Sequence, residues 1–280
     1  MVARRVHKVY FTSIAFKGDD TIKAKDVVIP HTYAQAMALP QADRWADTMK
    51  SEVNSLVGSD IWDLVNPLEH PNATIVAGRW VYTVKADSEG LPARFKSCWV
   101  ARGFTQRFGI DYDETYASMT KPATMKIMLA LVARLDIECK QYDLITAFLN
   151  ALIEKHTIFV EMPHGFKQYH GNVQIICLLK RALYGLKQSP LLWYEELIKF
   201  LLSMNLKLCI SDPCLFIHPS GAYILVYVDD LLLIAKSLKL INKLASLLGA
   251  RYAMKELGDI SWFLRCYIIR DRKARKIWII

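Results

Sequence analysis

Apolar residues recur along this chain with two different periods. From Gln41 to Leu56, Trp45, Met49, Val53 and Leu56 fall on one helical face, and Gly58 stands where a helix would stop. A second helix is expected from Pro122, with Met125, Met128, Leu129 and Val132 facing inward. Proline suits that first turn because its missing N–H is not needed there. The run PLLWYEELIKFLLSMN predicts a third helix, with Ser189 as cap and Pro190 at the first position. A fourth spans about Ser237 to Leu248.

Strand patterns lie between these helices. IWDLV (61–65), HTIFVEM (156–162), CLFIH (214–218), YILVYV (223–228) and LLLIA (231–235) are short apolar runs bounded by turn residues. RWVYTVK (79–85) and ARFKSCWVARGF (93–104) flank the turn-rich ADSEGLP and predict a hairpin rich in basic residues. WFLRCYIIR and KIWII predict a final hairpin, and KQYDLITAFLN (140–150) a strand that turns helical just after Asp143. Residues 1–30 are weakly patterned. Helices interleaved with hairpins predict an α+β fold built on an antiparallel sheet.

Composition narrows the class. The 280 residues are 53% hydrophobic and 22% charged, enough to bury a core in one large domain or two small ones. No run of about 18 uncharged apolar residues is present, so no transmembrane helix is expected. The opening MVARRVHKVYFTSIAF lacks the long apolar region of a signal peptide and is read as a ragged start, with a transit peptide as the lesser alternative. The net charge of +9 points to a polyanion such as nucleic acid. Part of it lies in RDRKARK (270–276), which by itself reads as a solvated hairpin turn. Six cysteines without a Cys-x-x-Cys pair or zinc spacing exclude a zinc finger and predict reduced, mostly buried thiols in an intracellular protein.

The stretch AYILVYVDDLLLIA (222–235) carries the sharpest chemical signal. Asp229 and Asp230 sit side by side within it. Two-residue hairpin turns favour Asn-Gly or Asp-Gly, and adjacent carboxylates repel. An unusual turn and a metal site fit the motif equally. Asp143 shifts the balance, because it too interrupts an apolar strand. Three carboxylates gathered at one sheet edge would bind hard divalent cations, of which Mg²⁺ is usual where phosphates are the other ligands. That chemistry is metal-assisted phosphoryl transfer on nucleic acid.

At this point the chain resembles a known family, the reverse transcriptases of copia-type LTR retrotransposons. The resemblance runs from about Tyr33 to the end. It is carried in order by TYAQAM (32–37), RWVYTVK (79–85), FTQRFGIDYDETYA (104–117), QYDLITAFLN (141–150), LYGLKQSP (183–190), LVYVDD (225–230) and MKELGDISWFL (254–264). It implies the fingers and palm of a right-hand polymerase: about 60–120 as fingers and 121–280 mostly palm, ending before a full thumb and without ribonuclease H. It implies that Asp143, Asp229 and Asp230, with the backbone carbonyl of Leu144, hold two Mg²⁺ ions, with Mn²⁺ a possible substitute. The implied reaction is attack of a primer 3′-hydroxyl on a deoxynucleoside triphosphate.

The resemblance assigns further roles. Phe148 would sit under the sugar and exclude a 2′-hydroxyl. Gly185 would let backbone approach the nascent base pair. Lys85, Arg94 and Lys96, with Lys187, would meet the incoming triphosphate. Trp262–Arg270 would form the primer-grip hairpin. The implied partners are an RNA or DNA template with its primer, deoxynucleoside triphosphates and other products of the element's polyprotein, with no membrane. The implied setting is the cytoplasm or a virus-like particle. Three positions and one segment depart from the family pattern: Cys98 stands for Arg, Leu191 for Arg, Arg265 for Gly, and YASM (116–119) for FAPV. These departures leave a second expectation, a relic that binds nucleic acid without catalysis.

Overall fold

The computed structural model describes residues 23–280 other than residue 88, so most of the weakly patterned flank over 1–30 lies outside the described residues. In chain order the elements are α1 (Tyr33–Ala38), α2 (Ala42–Gly58), β1 (Trp62–Val65), β2 (Ile75–Val76), β3 (Gly78–Ala86), β4 (Pro92–Ala101), α3 (Pro122–Leu135), β5 (Glu138–Leu144), β6 (Phe159–Glu161), β7 (Tyr169–His170), β8 (Val173–Gln174) and β9 (Ile176–Leu179). There follow α4 (Ser189–Ser203), β10 (Lys207–Cys209), β11 (Asp212–Ile217), β12 (Tyr223–Tyr227), β13 (Asp230–Ala235), α5 (Leu238–Arg251), β14 (Met254–Asp259), β15 (Trp262–Phe263), β16 (Cys266–Asp271) and β17 (Lys276–Ile279). The expected α+β architecture is the observed one. No helix among the described residues is long and apolar enough to cross a membrane.

These elements form two compact units. The first contains Tyr116–Asn150 and Pro190–Ile280; the second contains the described residues up to Thr115 together with Ala151–Ser189. Ala151–Ser189 thus groups with the elements that precede Thr115.

The first unit is organised by a six-stranded antiparallel sheet in the order β10-β11-β12-β13-β5-β14. One face packs on α3 and on the β15–β16 hairpin. Its core includes Met125, Met128, Leu129, Val132, Cys139, Leu225, Leu232, Ile234, Phe263 and Ile268. The inward residues expected of α3 are therefore the buried ones. On the other face of β13, Leu231, Leu233 and Ala235 are equally buried, and α5 packs on that strand. Burial on both faces explains why LLLIA shows no alternation.

In the second unit, β3 and β4 pair from Gly78↔Ala101 to Ala86↔Pro92. Their buried face presents Trp80, Tyr82, Phe95 and Trp99. Trp45 of α2 meets it edge-on, with ring centroids 5.2 Å from Tyr82 and 4.7 Å from Phe95. A four-stranded sheet, β1-β9-β6-β2, completes this unit. Its β2–β6 pair is parallel, while the expected antiparallel sheet is the six-stranded one of the first unit.

Two local expectations change. Ser189 is the first helical residue of α4, and its hydroxyl donates to the Leu183 carbonyl at 2.6 Å. It is bound to the preceding loop instead of serving as a free cap acceptor. The strand expected over 156–162 is confined to Phe159–Glu161.

Candidate active site

The aspartates occupy one end of the six-stranded sheet. Tyr227 pairs with Asp230, so the connection between β12 and β13 is the two-residue turn Val228–Asp229. Asp230 is therefore a strand residue, and the turn falls one position earlier than an Asp-Asp turn would place it. Val228 has φ 56° and Asp229 is not in that region, the sign pattern of a type II′ turn. Glycine is usual at this first position. A β-branched residue there stores strain of order 1–3 kcal/mol.

Surrounding groups hold the strained turn. The Trp193 indole N–H donates to the Val228 carbonyl at 2.7 Å. The Leu144 N–H donates to the Asp229 carbonyl at 2.8 Å. The buried Thr120 hydroxyl donates to the Val226 carbonyl. None of these three side-chain or backbone roles was visible in the sequence, because each depends on tertiary placement.

Register then brings the carboxylates together. Asp230 lies directly opposite Asp143 on β5, and cross-strand partners project from the same face. Followed along that face, β13 reads Ile234, Leu232, Asp230, and β5 reads Cys139, Gln141, Asp143. On this face β13 is apolar where the core covers it, β5 adds the buried Gln141 to Cys139, and both strands carry an aspartate at the same end. Gln141 Nε2 donates to Asp230 Oδ1 at 3.3 Å. The Asp230 carboxyl is pushed above its ordinary value, first by burial and further by the nearby charges of Asp229 and Asp143, while the Gln141 bond opposes the shift. On the other side of β5, Lys255 of β14 lies opposite Asp143 and adds a cation to the same row. The sequence reading did not single out Lys255, since β14 is an exposed edge strand without apolar alternation.

A carboxylate that resists ionisation beside two others suits a hard divalent cation. Among the described residues no group of three or more His, Cys, Asp or Glu side chains is gathered as a ready-made metal cage. Mg²⁺ characteristically uses one or two carboxylates and takes the rest of its shell from water and phosphate, so the Asp143–Asp230 pair with the adjacent Asp229 fits that demand. Phe148 follows in the same unit, half-buried in the 3₁₀ turn Ala147–Asn150 that leaves β5.

The other expected residues belong to the second unit. Lys85 lies opposite Arg94, and Lys96 is two positions along β4. Alternation places all three on the exposed face of the β3–β4 ribbon, with Cys98 beyond Lys96 on that face. Burial raises the Cys98 thiol above its usual range, and the Glu52 charge adds to this. Glu52 on α2 accepts from the Trp99 N–H at 3.3 Å, and burial raises its carboxyl from 4.5 to about 7.

Gly185 has φ 88°, and a Cβ there would sit 2.1 Å from the Ala101 carbonyl oxygen. A Cβ on Gly103 would in turn sit 2.1 Å from the Gly185 carbonyl oxygen. The close backbone approach at Gly185 is therefore to the end of β4. Lys187 donates to the Tyr112 hydroxyl at 3.0 Å and lies 4.7 Å from the centre of that ring.

The family model described as reverse transcriptase (RNA-dependent DNA polymerase) matches residues 59–279. The Retrovirus-related Pol polyprotein from transposon RE2 of Arabidopsis thaliana is 37% identical over 238 residues, which is 84% of this chain and 16% of that protein. The corresponding polyprotein from transposon TNT 1-94 of Nicotiana tabacum is 32% identical over 281 residues, or 99% of this chain and 21% of its own length. The chain thus spans about a fifth or less of these relatives. Among solved structures, a foamy viral protease–reverse transcriptase in complex with double-stranded DNA aligns with 79% of this chain and 33% of its own, at 15% identity and a TM-score of 0.41.

Proposed function

Since the chain belongs to the reverse transcriptase (RNA-dependent DNA polymerase) family, with copia-type Pol polyproteins as its relatives, we propose that it extends a primer with deoxynucleotides on an RNA template. The observation that carries this reading is the pairing of Asp230 with Asp143 beside the Val228–Asp229 turn. Asp143, Asp229 and Asp230 would hold two Mg²⁺ ions, which supply Lewis-acid activation of the primer hydroxyl and charge neutralisation on the triphosphate.

The chain's own residues do the positioning. Trp193, Thr120 and Leu144 fix the turn so that the carboxylates keep their register. Gln141 orients Asp230. On the exposed face of their own ribbon Lys85, Arg94 and Lys96 would offer contacts to phosphate, and Phe148 would exclude the 2′-hydroxyl.

Primer extension tests this. Wild type should incorporate deoxynucleotides on a primed RNA template only when Mg²⁺ or Mn²⁺ is present. Asp229→Asn should lower the rate by about 10³-fold, the several kcal/mol that a metal site supplies. Wild type inert with every primer and metal would reject the reading.

One observation favours a second reading. Cys98 occupies the basic face of the ribbon where the family has an arginine, and a thiol cannot replace a bidentate phosphate fork. In that reading the chain binds nucleic acid without copying it. Restored incorporation in Cys98→Arg would distinguish a weakened polymerase from a relic with further defects.

A further inference from the structure

The basic run RDRKARK (270–276) closes the β16–β17 hairpin, and four of its five cations divide into two sets. Arg270 and Arg272 are consumed internally. Asp136, at φ 47° just past the end of α3, accepts from Arg270 Nη2 and Arg272 Nε, both at 3.0 Å. Glu138 accepts from both terminal nitrogens of Arg272 at 2.9 Å. Arg270 also donates to the Ile137 carbonyl at 2.8 Å. These bonds clamp the hairpin onto α3 and the start of β5.

Arg275 and Lys276 are spent differently. With Arg134 of α3 and Trp278 of β17 they line a hollow of about 570 Å³, to which Ala130 and Ala133 contribute only small side chains. Among the described residues no carboxylate lines it. Trp278 is 45% exposed, a large ring left uncovered among three cations. A merely solvated hairpin turn gives no reason to clamp two arginines while two further cations of the run, with Arg134, surround an aromatic ring; Lys273 alone of the five lies outside both sets.

We propose that this hollow is a second nucleic-acid contact, which takes phosphodiester groups of a single strand on Arg134, Arg275 and Lys276 and stacks a base on Trp278. Cations tracking a backbone beside an aromatic ring are the two elements of sequence-tolerant single-strand binding. The contact lies away from the carboxylates: Glu138 and Asp143 are five strand residues apart on β5, about 17 Å. The inference rests on the polymerase reading for the identity of the polyanion, but not on catalysis.

Binding of a fluorescent single-stranded oligonucleotide is the test. The triple variant Arg134→Gln, Arg275→Gln, Lys276→Gln should weaken binding at least about tenfold at low salt. It should also reduce the slope of log affinity against log salt by about 2, since each lost single-strand phosphate contact removes roughly 0.7. In the unaltered chain, photocrosslinking of a bromouracil-substituted strand should yield an adduct on the peptide containing Trp278.

An unchanged affinity and slope, or adducts confined to other peptides, would overturn the proposal. So would an equal loss of binding to phosphatidylserine vesicles with single-strand affinity intact, which would reassign the hollow to a membrane. Asp229→Asn separates the two ideas. It should lower incorporation by the same roughly 10³-fold and leave this binding unaltered, so failure of one does not imply failure of the other.

Discussion

At the residue scale, two side chains carry conformational or electrostatic costs that can be measured singly. Arg265 is the simplest. With Leu264 it forms a two-residue turn between β15 and β16, and both residues have positive φ, at 51° and 65°. The type I′ pattern favours glycine at these positions. Arg265→Gly should therefore raise Tm by about 1–3 °C, the unfolded-state entropy of glycine offsetting part of the relieved αL cost. A lowered Tm would show that the arginine side chain stabilises the hairpin in another way.

Glu52 gives a pH signature. Its carboxyl is raised by burial from 4.5 to about 7, so between those values the folded chain keeps a proton that the unfolded chain has released. Stability from this group is present at low pH and lost as pH rises toward 7. The melting temperature of Glu52→Gln should gain on wild type between pH 5 and pH 8. A difference independent of pH would exclude the burial account.

At the scale of elements, the Val228–Asp229 turn depends on a helix remote in sequence. Trp193→Phe keeps the ring and removes the N–H that satisfies the Val228 carbonyl. An unpaired buried acceptor costs roughly 1–3 kcal/mol. A displaced carboxylate pair should slow incorporation roughly 10–100-fold with little change in primer-template affinity. If affinity fell while the maximal rate held, the indole would be acting on substrate binding instead.

This scale also shows what a reader of the sequence can and cannot obtain. The inward faces of α2 and α3 were legible because a 3.6-residue period is local, and Trp45, Met49 and Met125 are indeed buried. The acidic interruptions at Asp143 and Asp229–Asp230 were legible because charge inside an apolar run costs too much to be incidental. The pairing Asp143↔Asp230 was not, because register depends on the partner strand. β14 was missed because an edge strand exposed on most positions carries no alternation to detect.

Across the whole molecule, the six cysteines form no disulfide. Burial raises Cys139 and Cys177 to about 12 and Cys214 to about 11. Since the thiolate is the reactive form, these three should resist alkylation in the folded chain. Native iodoacetamide treatment should modify at most Cys98, Cys209 and Cys266, the half-buried set, and mass spectrometry should find all six modified after denaturation. Modification of the buried set at the same rate would mean that the core opens readily.

The position of β5 in its sheet has one more consequence, for biosynthesis. Its two neighbours, β13 and β14, both come from far downstream; 89 residues separate Gln141 of β5 from Asp230 of β13, whose carboxylate it hydrogen-bonds. At about 5–20 residues per second, a ribosome needs roughly 4–18 s to supply the first of them. Throughout that interval the strand bearing Asp143 has two open edges and an apolar face, the features that invite wrong pairing. The Asp143–Asp230 pair therefore forms only after β13 has been made, and a mutation that slows this pairing should lower the yield of folded protein.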